Sequence, residues 1–188
     1  RLSSRMTEKR YDIIVFGATS FVGEILAGYM LEKHGVGGHV RWAAAGRSQG
    51  KLDSLKSSLG AGARELPLLV ADAFSDADMT ALCQQTRLVI STVGPYALYG
   101  EALVKACAET GTDYVDLTGE AQWVRKMIAL YEPRAKETGA RIVPSCGFDS
   151  IPSDMGVWHL QQSARARFGQ SCDQVAMRVK AAKGGASG

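Results

Sequence analysis

The stretch Tyr11-Asp12-Ile13-Ile14-Val15-Phe16-Gly17-Ala18-Thr19-Ser20-Phe21-Val22-Gly23 decides the fold. Its first six residues are mostly apolar and β-branched, the pattern of a short strand buried on both faces. Beyond it, Phe21, Val22, Ile25, Leu26, Tyr29 and Met30 follow helical spacing, which predicts a helix over 20–33. The two elements meet at a glycine turn. Gly17 allows the tight bend, and the small Ala18, Thr19 and Ser20 let a ligand approach the backbone. Gly23 lets the helix pack closely on the sheet. The amides at the helix start, with Phe21 first, would face the phosphates of a dinucleotide, helped by the helix dipole. The turn departs from G-x-x-G-x-x-G by placing Ser20 at the middle glycine. It nevertheless sits in the strand–turn–helix context the mechanism requires. The alternative is a structural βα turn without a ligand.

The same alternation continues outward. Strands are predicted over 11–16, 40–45, 66–71, 88–93, 113–117 and 140–144, with helices over 53–59, 77–85, 101–109 and 122–137 between the later ones. Glycines 35, 37, 38, 111 and 139 punctuate the series. Apolar strands alternating with helices argue for a parallel sheet covered on both faces. Right-handed crossovers then give a doubly wound α/β fold of the Rossmann type.

The tail reads differently. Residues 151–168 predict another helix, with Pro152 in its first turn. Residues 173–180 alternate, with Val175, Met177 and Val179 on one side and Ala176, Arg178 and Lys180 on the other. That is a half-buried strand, more typical of an antiparallel sheet. The expected organisation is a flexible segment over 1–10, a nucleotide-binding domain over 11–150, and a connecting helix and first strand of a second α+β domain over 151–188. Met6 reads as the natural start.

Composition excludes several classes. The chain has 188 residues, 46% hydrophobic and 22% charged, ordinary values for a globular protein. The net charge of +3 is unevenly spread. Residues 1–10 carry +3 and residues 41–64 carry +4, while the rest is mildly acidic. A nucleic-acid binder would show a broad basic face instead. Cys83, Cys107, Cys146 and Cys172 form no CxxC pair, so no metal site is expected. They read as reduced thiols of a cytoplasmic protein. No apolar run reaches the roughly 18 residues of a membrane span.

The basic stretch has a specific place. An NAD site wants an acid after the second strand, bonding the ribose 2′-hydroxyl. Here the residues are Ala45-Gly46-Arg47-Ser48, with no acid before Asp53. Arg47 can grip a 2′-phosphate with two hydrogen bonds, and Ser48 can add a hydroxyl. The expected cofactor is therefore NADP. For Lys51 and Lys56 a solvated loop is an equally good reading. Asp72 ends the third strand and would either hydrogen-bond adenine or cap a local turn.

The later strand ends are polar, and doubly wound folds bind ligands beyond such ends. Gly94 and Pro95 would pass beneath the nicotinamide half, with Gly119 and Gly147 beside them. Tyr96 and Tyr99 would border the substrate there, with packing in the core and a satisfied hydroxyl as the alternative. Glu120 and Asp149 are the candidates for binding substrate or moving a proton, with helix caps as the alternative roles. Cys146 has no histidine or cysteine partner nearby in sequence, which argues against a thiol nucleophile.

Residues 17–23, 45–48, 91–96, 114–120 and 147–154 together resemble the saccharopine dehydrogenase-like oxidoreductases, in the group that includes trans-acting enoyl reductases. The segments STVGPY, DLTGE and GFDSIPSD carry the resemblance more specifically than the glycine turn. It implies a two-domain NADP-dependent enzyme of which this chain is an N-terminal portion. The second domain would supply much of the substrate site and a possible homodimer interface. The expected activity is hydride transfer between nicotinamide and a C=N, C=O or C=C bond of a small molecule. An NADP-binding redox sensor without turnover is the alternative.

Overall fold

A computed structural model describes residues 9–181. Six parallel strands form one sheet, β1 (Tyr11–Phe16), β2 (Trp42–Gly46), β3 (Leu68–Val70), β4 (Thr86–Ser91), β5 (Asp113–Asp116) and β6 (Ile142–Val143). Their order is β3-β2-β1-β4-β5-β6. The chain therefore starts in the middle, runs to one edge and returns to build the other half. The direction of winding reverses between β1 and β4, where a crevice opens beyond the strand ends.

The helices are α1 (Phe21–His34), α2 (Gln49–Ser58), α3 (Asp76–Gln84), α4 (Tyr96–Tyr99), α5 (Glu101–Thr110), α6 (Ala121–Thr138) and α7 (Ile151–Phe168). Alternate residues of β1 serve opposite cores. Val15 packs with Ala27 and Met30 of α1 and Leu52 and Leu55 of α2. Ile14 and Phe16 pack with Met79 and Leu82 of α3, Val104 of α5 and Met127 of α6. Both faces of the central strand are thus dry, which is why its sequence is a continuous apolar run.

Several boundaries move for local reasons. α2 begins at Gln49, ahead of the expected 53, because Ser48 caps it and accepts from Lys51 N at 3.4 Å. α4 is a single turn that the periodicity does not announce. The strand expected over 173–180 does not form, and this segment has no regular secondary structure. Alternation makes a strand only when another strand supplies the ladder, and none among the described residues pairs with it. The expectations for residues 1–8 and 182–188 lie outside the described residues.

α7 forms as expected but stands nearly bare. Ile151, Met155, Val157, Trp158 and Leu160 are all exposed, Trp158 at 57%. Among the described residues, no helix is long and apolar enough to cross a membrane. Nor does any group of three or more His, Cys, Asp or Glu stand ready to hold a metal ion.

Candidate functional site

The crevice at the reversal point holds a cavity of about 360 Å³. The turn after β1 floors it. Gly17 has φ +83°, and an added Cβ would lie 2.7 Å from Thr92 Oγ1. At Gly23 a Cβ would come within 2.1 Å of Gly17 O. The glycine thus brings α1 directly onto the turn. Ser20 is the helix N-cap, its Oγ accepting from Gly23 N at 3.0 Å. That leaves the Phe21 and Val22 amides of the first turn for an anion.

A serine at the middle glycine position is therefore a cap. Its Oγ also lies 3.1 Å from Thr92 Oγ1, and the Thr92 hydroxyl reaches Gly17 O at 2.8 Å. Thr92, at the end of β4, ties the two halves of the sheet together beneath the crevice. Sequence reasoning missed it, because its partners lie more than 70 residues away.

At one end of the cavity stand Arg47, Ser48 and Lys51. Arg47 is exposed, and the first turn of α2 holds no acid. This helix start is therefore positive in both side-chain charge and dipole. Lys51 lines the same cavity as Arg47.

Asp72 also lines the cavity, yet its carboxylate has local work. Oδ1 accepts from Phe74 N at 3.0 Å, an Asx turn, while Asp72 N donates to Asp78 Oδ2 at 2.9 Å. The turn brings Phe74 to the rim, and its ring meets Tyr99 edge-on at 5.1 Å between centroids.

Toward the other end lie Thr92, Val93 and Gly94. The exposed Gly94 and Pro95, joined by a cis peptide, lead into α4. Glu120 fixes this corner. Its Oε1 accepts from Tyr96 N at 2.7 Å and its Oε2 from Ala97 N at 2.8 Å. The carboxylate expected to serve substrate is thus occupied by the first amides of α4. The Tyr96 hydroxyl donates to Ser91 O at 3.0 Å. Burial, opposed by the Leu117 amide, pushes its pKa up to about 12. It holds its proton at neutral pH.

Asp116, only 2% exposed, organises the neighbouring strand ends. It accepts from the Tyr114 hydroxyl at 2.6 Å, Thr118 N at 3.0 Å and Ser145 N at 2.8 Å. Ser145 has φ +61° and returns its Oγ to Thr118 O at 2.8 Å. Burial first, and the Asp116 charge second, raise the Cys146 thiol. That disfavours a thiolate nucleophile.

Of the expected cofactor residues, Gly17, Thr19, Ser20, Arg47, Ser48, Asp72 and Gly94 line the cavity. Ala18 is fully buried in the α1–α2 core. Gly23 acts through packing, and Phe21 offers an amide while its ring is exposed. Gly119 and Gly147 lie on the β5 and β6 side. There a Cβ on Gly147 would meet Leu117 Cβ at 2.9 Å. Asp149 is exposed in the turn before α7, outside the cavity lining.

Residues 13–143 match the saccharopine dehydrogenase NADP binding domain. The chain belongs to this family. It is 44% identical over 167 residues to the trans-acting enoyl reductase of Mycobacterium tuberculosis (strain ATCC 25618 / H37Rv), covering 88% of this chain and 39% of that protein. The trans-acting enoyl reductase of Mycobacterium leprae (strain TN) is 42% identical over the same length and with the same coverage. A further Mycobacterium tuberculosis protein, Rv2449c, is 43% identical over 182 residues, 97% of this chain and 43% of that protein. The chain thus spans about two-fifths of the length of the curated relatives it matches. Apo saccharopine dehydrogenase (L-Glu forming) from Saccharomyces cerevisiae shares the fold. Its TM-score is 0.66 at 18% identity, over 83% of this chain and 32% of that one.

NADP is the family's cofactor, and the residues present fit it. The cationic end at Arg47 and Lys51 suits a 2′-phosphate, the acid-free segment after β2 would not repel it, and the Gly17–Gly23 turn admits a pyrophosphate.

Proposed function

We propose that this chain is the NADP(H)-holding part of an oxidoreductase acting on a polarised double bond, with the C=C bond of an enoyl thioester as the preferred substrate. The names of the mycobacterial relatives favour that bond over C=N or C=O. The single observation that carries the reading is the cavity itself. It joins a cationic 2′-phosphate end at Arg47 to a glycine turn and then to Gly94.

When bound, the nicotinamide supplies the hydride chemistry. This chain's residues bind and orient. Arg47, Ser48 and Lys51 hold the 2′-phosphate end, and the Phe21 and Val22 amides meet the pyrophosphate. Glu120 keeps Gly94 and Pro95 in place by bonding α4. Asp116 does the same for Ser145 and Thr118 on the adjacent strand ends. The remaining contacts to substrate come from a second domain packed on α7, whose exposed apolar residues are suited to burial.

A second reading is an NADP sensor without turnover. It is favoured by the engagement of Glu120, whose two carboxylate oxygens already accept from the Tyr96 and Ala97 amides. NADPH oxidation by the full-length protein, followed at 340 nm with enoyl thioesters, imines and carbonyl compounds, separates the two. Turnover with an enoyl thioester supports the proposal. Tight NADP binding with no turnover on any of them supports the sensor.

A further inference from the structure

Phe74 is a large aromatic residue left 67% exposed, yet it is held from two sides. Its backbone N–H donates to Asp72 Oδ1 at 3.0 Å. Its ring packs edge-on against Tyr99 at 5.1 Å and 61°. Both rings line the cavity, together with Arg47, Asp72 and Gly94. An exposed phenylalanine on a loop ordinarily moves freely, and ordering it costs entropy. Here the Asx turn and the Tyr99 contact hold it at the cavity, with most of its surface exposed.

The position within the cavity limits what that ring can meet. Arg47 follows β2 and Phe74 follows β3, and these strands are neighbours. A nucleotide whose 2′-phosphate sits at Arg47 has its base within reach of the β3 loop. The pyrophosphate turn lies on the opposite side, after β1. A flat purine is the part of the ligand that gains from an aromatic face, because every base presents a π-surface.

We propose that Phe74 is the stacking platform for the adenine of NADP, and that Tyr99 is the positioning residue that holds it. The inference rests on the cofactor reading above. It also gives Asp72 a role other than base recognition, since its carboxylate builds the turn that presents the ring. Tyr99 stands on α4, the helix whose first amides Glu120 fixes. The adenine platform and the Gly94-Pro95 corner are therefore parts of one connected unit.

The test is calorimetric titration of the full chain with 2′,5′-ADP, which carries the base and 2′-phosphate but no nicotinamide. Phe74→Ala is expected to weaken 2′,5′-ADP roughly ten-fold. Phe74→Tyr stays within about two-fold, because a ring remains. Tyr99→Phe is also near wild type, whereas Tyr99→Ala loses part of the affinity, since the Tyr99 ring makes the contact with Phe74. Phe74 is mostly exposed, so its removal leaves the melting temperature nearly unchanged. Full affinity of Phe74→Ala for 2′,5′-ADP would overturn the inference while leaving the cofactor reading intact. A wild-type chain that binds no NADP would overturn both.

Discussion

The carboxylate of Glu120 is locked onto the start of α4, with Oε1 2.7 Å from Tyr96 N and Oε2 2.8 Å from Ala97 N. Both acceptor oxygens are engaged by adjacent amides, the geometry of a helix cap supplied from a distant segment. Glu120→Gln keeps the size but replaces one acceptor with a donor facing the Ala97 amide. The expected loss is about 1–2 kcal/mol, because hydrogen bonds to charged groups exceed neutral ones. The melting temperature should fall by roughly 3–6 °C for a domain of this size. A normal melting curve with loss of one limb of the pH–rate profile would instead assign Glu120 to proton transfer.

Gly23→Ala tests the turn. The new Cβ would lie within 2.1 Å of Gly17 O, a backbone atom. α1 must move off the turn, at a cost of about 3 kcal/mol. Thermal denaturation should show the loss, and calorimetry should show NADP binding weakened with it. Gly50→Ala, where nothing lies within 4 Å, is the matched control and should cost nothing measurable.

Strand β1 and its turn are legible in sequence because one local segment carries both signals. An apolar run ends at Gly17, and helical spacing starts at Phe21. Arg47 is legible for the same reason, standing directly after β2. Thr92, Phe74 and the Glu120 clamp are not, since each depends on a partner far along the chain. The four-residue α4 is too short for a period to register. Residues 173–180 carry a strand pattern, and no neighbour among the described residues pairs with them.

Acid stability depends on the opposite end of the sheet. Asp12 accepts from Arg41 N at 2.9 Å and faces the Arg41 and Arg87 guanidinium groups. The Arg41 backbone bond, then its side chain, hold the carboxyl below the ordinary 3.8. A depressed folded value means the unfolded chain binds the proton first. The stabilisation is complete above pH 3.8 and is lost as the pH falls toward the folded value. Asp12→Asn should lower stability at pH 7 and flatten its decline below pH 4. A parallel decline in both proteins, measured by urea denaturation, would refute this.

Arg47→Ala removes the exposed guanidinium after β2. NADP affinity should fall by about ten-fold or more, the worth of charge-assisted bonds to a phosphate. NAD affinity should stay within about two-fold. Lys51→Ala should act in the same direction and more weakly, because an ammonium does not pair bidentately.

The central claim is that this crevice holds NADP and selects it by the 2′-phosphate. Titration of the wild-type chain with NADP and with NAD, in one buffer at one ionic strength, tests it most directly. The account predicts saturable binding of NADP at least ten-fold tighter than NAD. Equal affinity for the two, or binding of neither, would contradict it.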